Sequence, residues 1–211
     1  MRKSIITLVL IVMAGIAAHA QNVKFGIKGG LNMAKVSSFK YYGSNGTYQE
    51  EVATDYKPGF HAGIFVDVGF SRYFSFQPEL MYSQKGYKSR YMVMGNERTT
   101  TVSYNYLDLP LLAKIKTGTG LNFYAGPSVS FLLSSRYKDS GSNVIIESEN
   151  NAIDEDNFRK ADIGGLIGVG YDFGKANLGL NYNFGLQTLD KYDSGVKARN
   201  NNIQLSIGFN F

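Results

Sequence analysis

Eight separate segments of this chain alternate apolar and polar residues with a period of two, which predicts β-strands with one apolar face each. In the first, Val23, Phe25, Ile27, Leu31 and Met33 share one parity, while Lys24, Lys28 and Asn32 share the other. The pattern recurs over Phe60–Phe70, Phe74–Tyr82, Leu107–Ile115, Phe123–Leu133, Ile163–Tyr171, Leu178–Leu186 and Ile203–Phe211. The polar connections alternate in length. Ser71 to Tyr73, Thr117 to Leu121 and Asp172 to Lys175 are short, whereas Ser37 to Lys57, Gly86 to Ser103, Arg136 to Ala161 and Thr188 to Arg199 are long. Short turns at one end and long loops at the other predict an all-β, eight-stranded antiparallel up-and-down barrel of the transmembrane kind.

Charge and bulk decide which face meets which solvent. Phe, Leu, Ile and Val fill one parity, and the other carries Lys24, Lys28, His61, Asp67, Glu79, Asp108, Lys114, Lys116 and Asp162. A soluble periplasmic ligand-binding barrel would turn the apolar face inward. The glycines argue for the reverse: Gly26, Gly30, Gly63, Gly126, Gly168 and Gly208 share the polar parity, and a water-exposed face has no need of missing side chains. The inside of an eight-stranded barrel, by contrast, is barely wide enough for its own side chains. The expected arrangement is therefore lipid outside and a barrel-interior polar network of Lys28, Asp67, Glu79, Asp108 and Lys114, with Glu79 or Asp108 paired to Lys28 or Lys114. Phe70, Tyr73 and Phe74 near the short turns, and Phe60, Tyr82, Tyr104 and Phe131 near the long loops, suit aromatic girdles at the two membrane interfaces.

Residues 1–20 read as a signal peptide: Arg2 and Lys3, an apolar run from Ile5 to Ala18, and the A-x-A site Ala18-His19-Ala20, with cleavage between Ala20 and Gln21. The run falls short of the ~20 residues that a spanning helix needs. Residues 21–211 are then one barrel domain. Losing Arg2 and Lys3 leaves 20 cations against 17 carboxylates, a net +3 that is too small and too scattered for a nucleic-acid partner. The absence of cysteine excludes disulfides, thiolate metal sites and cysteine nucleophiles. Apolar residues at alternate positions from Ile203 to Phe209 and Phe211 fit the C-terminal insertion signal that the barrel-insertion machinery of outer membranes reads.

Four motifs carry a family resemblance. Gly26-Ile27-Lys28-Gly29-Gly30-Leu31-Asn32, the run Gln77 to Gly86, Tyr106 to Lys114, and Tyr124-Ala125-Gly126-Pro127 together resemble the PorT-like outer-membrane β-barrel family over Val23 to Phe211. The resemblance implies an outer-membrane barrel, with one branch of the family linked to a protein-secretion apparatus.

Candidate chemistry is sparse. His61, on the interior parity just after the first long loop, is placed near the outer rim. Some eight-stranded barrels modify lipid A with a rim His, a Ser and a carboxylate, but no His-x-x-x-Ser spacing surrounds His61. Asp154-Glu155-Asp156-Asn157 lacks the spacing and glycine of a calcium loop and reads as solvated. Gly164 and Gly168 form a GxxxG within a strand, where interior crowding rather than helix dimerisation explains them. Asn45-Gly46-Thr47 marks an exposed loop.

No cofactor or catalytic site is expected. The chain reads as a side-chain-plugged structural or interaction scaffold in the outer membrane, with short turns in the periplasm and long loops outside. Its expected partners are outer-membrane lipid and lipopolysaccharide, the insertion machinery, and a secretion-system or extracellular protein. A small-solute pore and a lipid A-modifying enzyme are the alternatives.

Overall fold

The computed structural model describes residues 22–37, 39–42, 48–93, 95–141, 144–149, 159–188 and 196–211. The expected signal peptide with its Ala20–Gln21 cleavage site, the Asn45 sequon and the acidic run at Asp154 lie outside the described residues. In chain order the strands are β1 (Asn22–Val36), β2 (Phe39–Tyr42), β3 (Tyr48–Val52), β4 (Lys57–Gly69), β5 (Phe74–Val93), β6 (Asn96–Lys116), β7 (Leu121–Gly141), β8 (Val144–Glu149), β9 (Ala161–Phe173), β10 (Ala176–Gly185), β11 (Val196–Lys197) and β12 (Asn200–Asn210). Eight of them close a ring in the order β1-β4-β5-β6-β7-β9-β10-β12, with β12 returning to β1 and every pair antiparallel. These are the eight segments that the alternation marks. Outside the ring, β8 pairs with β7, and β11, β2 and β3 form a small separate sheet.

The stretch Gly86 to Ser103, expected as a loop, is strand. β5 runs on to Val93 and β6 starts at Asn96, with Val93 paired to Asn96 and Gly95 at φ 79°, a turn conformation that glycine adopts without strain. Polarity misleads here because the chemical character of the two faces inverts along these strands, while the inward parity of β6 stays the same. At the height of the apolar band, Leu111 and Ile115 point out and Asp108 and Lys114 point in. Nearer the hairpin tip, Tyr87, Val102, Tyr104 and Tyr106 point in, while Thr101, Ser103 and Asn105 lie on the outward parity. The wall thus changes from a membrane pattern to the pattern of a water-soluble sheet.

A bulge between Asn105 and Tyr106 on β6 and the facing Leu132–Ser134 of β7 marks the same height. It shifts the buried parity of β7 from Asn122, Tyr124, Ser128 and Ser130 to Ser135 and Asp139.

Outward-facing Phe25, Ile27, Leu31, Ile64, Ile115, Phe123, Ile167, Leu180, Leu205 and Ile207 are each half or more exposed, forming a continuous apolar belt. Soluble monomers do not present such a surface to water. On β1 the belt runs from Val23 to Met33, the length a tilted strand needs to cross a bilayer. Among the described residues no helix is long and apolar enough to cross a membrane, which says nothing of strands.

Three prolines sit at mid-height on neighbouring strands. The β4–β5 pairing skips from Phe65↔Glu79 to Val68↔Phe76 beside Pro78. The β5–β6 pairing skips from Pro78↔Leu111 to Met81↔Asp108 beside Pro110, and β6–β7 skips from Pro110↔Ser128 to Ala113↔Ala125 beside Pro127. A proline has no N–H to give its rung. The other half of the ring pairs without interruption, β1 with β12 from Gly26 to Val36 and β10 with β12 from Ala176 to Phe184.

Candidate functional site

Inside the ring, charges pair in three tiers. Nearest the short turns, Asp67 accepts from Lys116 at 2.8 Å and lies 3.8 Å from Lys114, which also reaches Asp172 at 3.3 Å. At mid-height, Lys28 pairs with Glu79, whose carboxylate also accepts from Gln77 Nε2 at 2.7 Å. The Lys28 ammonium stands 5.4 Å from the Phe65 ring centroid. The Phe65 ring occupies the space that a Cβ on Gly26 would fill, and Tyr124 does the same opposite Gly168. These interior glycines are vacated volume.

In the third tier, Lys85 donates to Asp108 at 2.9 Å and to Ser130 at 3.0 Å, under the Tyr106 ring at 4.9 Å. Asp162 accepts from Asn200 at 2.9 Å.

The polar network expected from sequence is therefore placed together, but with partly different pairings. Lys28 takes Glu79 as expected. Asp108 instead takes Lys85, and Lys114 takes Asp67 and Asp172, because antiparallel register sets Met81 opposite Asp108 and puts Lys85 two inward positions further along β5, within reach of Asp108. Lys85 belongs to the parity of Gln77, Glu79, Met81 and Ser83, so extending the alternation past Tyr82 finds it.

His61 is not at a rim. It is 2% exposed, with Nδ1 2.7 Å from Asn32 Oδ1 and Nε2 2.9 Å from Ser206 Oγ. Asn32 spends its amide hydrogens on Phe60 O, Ser83 Oγ and Gln84 O, which leaves Oδ1 to accept from Nδ1–H and Nε2 to accept from the Ser206 hydroxyl. Ser–His–Asn in that order is the hydrogen-bond relay of acyl-transfer enzymes. Sequence spacing could not show it, since the three residues come from β4, β1 and β12.

Above the third tier, Val36, Val102, Tyr104, Tyr106 and Ala198 form an apolar cluster, with Tyr87, Leu132 and Tyr137 packed on it. Tyr104, expected in an outer girdle, is inside this cluster and 4% exposed. Phe60 and Tyr82 do face outward, with ring centroids 5.6 Å apart. A cavity of about 20 Å³ lies beside Lys85, Asp162 and Asn202, and another of about 10 Å³ beside His61, Glu79 and Asp108. Each has room for about one water. At the chain end, Phe209 and Phe211 face outward with centroids 5.9 Å apart, and Phe211 N donates to Phe25 O at 2.8 Å.

Residues 19–191 match the family model described as outer membrane protein beta-barrel domain. The chain belongs to this family. Among solved structures it is similar to Neisserial surface protein A at 16% identity, with 90% of this chain and 100% of that one covered and a TM-score of 0.47. It is also similar to Ail of Yersinia pestis in complex with the heparin analogue sucrose octasulfate, at 10% identity, 90% and 100% coverage and a TM-score of 0.48. OprG of Pseudomonas aeruginosa follows at 13% identity, 89% and 95% coverage and 0.46. No curated protein sequence matches this one. The protein is an outer-membrane β-barrel, and the apolar belt faces lipid.

Proposed function

We propose that this barrel is a membrane-anchored interaction scaffold with a plugged lumen, presenting the elements around the β5–β6 hairpin, the β7–β8 hairpin and the β2–β3–β11 sheet to a protein partner outside the cell. The observation that carries this reading is the inversion of faces above the apolar belt. A wall that merely closes a barrel gains nothing by extending into water with a core of its own, whereas a rigid platform for recognition does. The paired tiers and the apolar cluster above them support an interior that conducts little. Short turns in the periplasm, cleavage after Ala20 and membership of the PorT-like, secretion-associated branch belong to the same reading. Its test is a pull-down with the intact barrel, repeated with Ser37–Lys57 or Arg136–Ala161 shortened. Partner binding should vanish while the heat-dependent shift of the folded barrel on SDS gels persists. Retained binding in both variants would refute the scaffold role.

The Ser206–His61–Asn32 relay favours a second reading, acyl chemistry on lipid. Burial of Ser206 at 2% exposure weighs against it. Deacylation of lipopolysaccharide by the wild type, lost in Ser206→Ala and His61→Ala alike, would establish that reading.

A further inference from the structure

The mouth at the short-turn end carries charge that its own side chains do not neutralise. Lys24 on β1 and Asp67 on β4 are register partners, yet Asp67 is held by Lys116 at 2.8 Å and lies 3.8 Å from Lys114. Lys114 in turn reaches Asp172 at 3.3 Å. Lys24 has no carboxylate left among these groups. Arg72, in the β4–β5 turn, stacks its guanidinium 5.7 Å from the Tyr73 centroid and likewise has no ion pair among the described residues. Among Lys24, Arg72, Lys114, Lys116, Asp67 and Asp172 the cations outnumber the carboxylates by two.

These groups surround a space rather than a surface. An open cavity of about 390 Å³ is lined by Asn22, Lys24, Asp67, Gly69, Ser71, Arg72 and Lys116, within the range of small-molecule sites. Ser71 Oγ accepts from the backbone N–H of Tyr73 at 3.2 Å and of Phe74 at 3.0 Å, which fixes the hydroxyl and leaves its own hydrogen to donate. An ammonium, a guanidinium fork, an amide and a hydroxyl around one cavity match the oxygens of a tetrahedral dianion, and a charge of −2 balances the local excess. The outward-facing Tyr73 and the stacked rings of Phe70 and Phe74, 5.9 Å apart, put this mouth at headgroup height.

We propose that the short-turn mouth of the barrel is a phosphate-binding site built on Lys24, Arg72 and Ser71, filled by a lipid headgroup that laps over the rim or by a soluble phosphate ester. Lys24 and Arg72 are exposed, so the double variant Lys24→Ala/Arg72→Ala keeps the fold. The full-length barrel, freed of native lipid in a zwitterionic detergent, is titrated with glycerol 3-phosphate and, separately, with short-chain phosphatidic acid, and ¹⁵N amide shifts of Ser71 and Arg72 are followed. Saturable binding weakened at least tenfold in the double variant, and unchanged in Lys35→Ala at the opposite end, is the expected result. Binding of both probes identifies a soluble ester as sufficient, and binding of phosphatidic acid alone identifies the headgroup. No saturable shift with either probe, or equal affinity in the double variant, would overturn the site. A failed pull-down leaves this result unaffected, so the two proposals fail separately.

Discussion

The Lys28–Glu79 pair shows how much a single interior side chain can carry. Both groups are buried among Phe65, Tyr124 and Gln77. Removing one partner strands the other charge, so Glu79→Leu should lower unfolding stability in lipid by about 3–5 kcal/mol in a urea titration. Replacing both, Lys28→Met with Glu79→Leu, should recover most of that loss. If the single and double variants unfold alike, the pair is not the stabilising unit. His61 is different: its partners Asn32 and Ser206 are neutral, and Asn32 has other acceptors to keep it in place. Beyond the belt, Arg90 grips Asp55 through two nitrogens at 2.9 and 2.6 Å, and that hydrogen bond and charge raise the guanidinium above its ordinary value. The pair is largely solvent-exposed and ties the start of β4 to the β5 extension without contributing much stability.

At the scale of strands, the same substitution should have opposite consequences at two heights of β6. Leu109→Lys, on the outward parity at the belt, should cost ~2–4 kcal/mol in lipid. Thr101→Lys, eight positions toward the hairpin tip on the same parity, should cost little, because its outward neighbours Ser103 and Asn105 already meet water. Equal costs would contradict the inversion of faces. The proline seam makes a second claim about strands. The pairing of β4 to β7 lacks rungs at Pro78, Pro110 and Pro127, while β1 and β12 pair without a break. In hydrogen exchange, amides beside the seam such as Val66 and Leu112 should therefore exchange ahead of those of Ile27 to Met33. Uniform protection around the ring would show that the missing rungs do not weaken the wall.

For the whole molecule, the interior sets the expected conductance. The plugged lumen proposed above rests on three tiers of paired charge, water-sized cavities and the Tyr104–Tyr106 cluster. Planar-bilayer recordings should show no large stable channels, and Tyr104→Ala with Tyr106→Ala should raise conductance if that cluster is the tightest layer. Closure through β1 and β12 leaves no free edge in the ring, which is why heat-modifiable migration should survive shortening of the outer elements.

The eight strands of the ring and the sense of their faces were legible in the sequence because a period of two is a local property, whereas β2, β3, β8 and β11 lie in stretches that read as loops. Each side chain's face follows from its position relative to its own neighbours along the chain. The crowding glycines added the inward direction of the polar face for the same reason. Three things came only with the tertiary structure. The choice of Lys85 rather than Lys114 for Asp108 depends on the register between β5 and β6, which no single strand contains. The relay through Asn32, His61 and Ser206 needs three strands that closure of the ring brings side by side. The polar residues from Gly86 to Ser103 could not announce themselves as strand, because a polar outward face means loop only if lipid lies outside it. How far the wall rises above the lipid is a property of the assembled barrel, set by where the apolar belt ends on all eight strands at once.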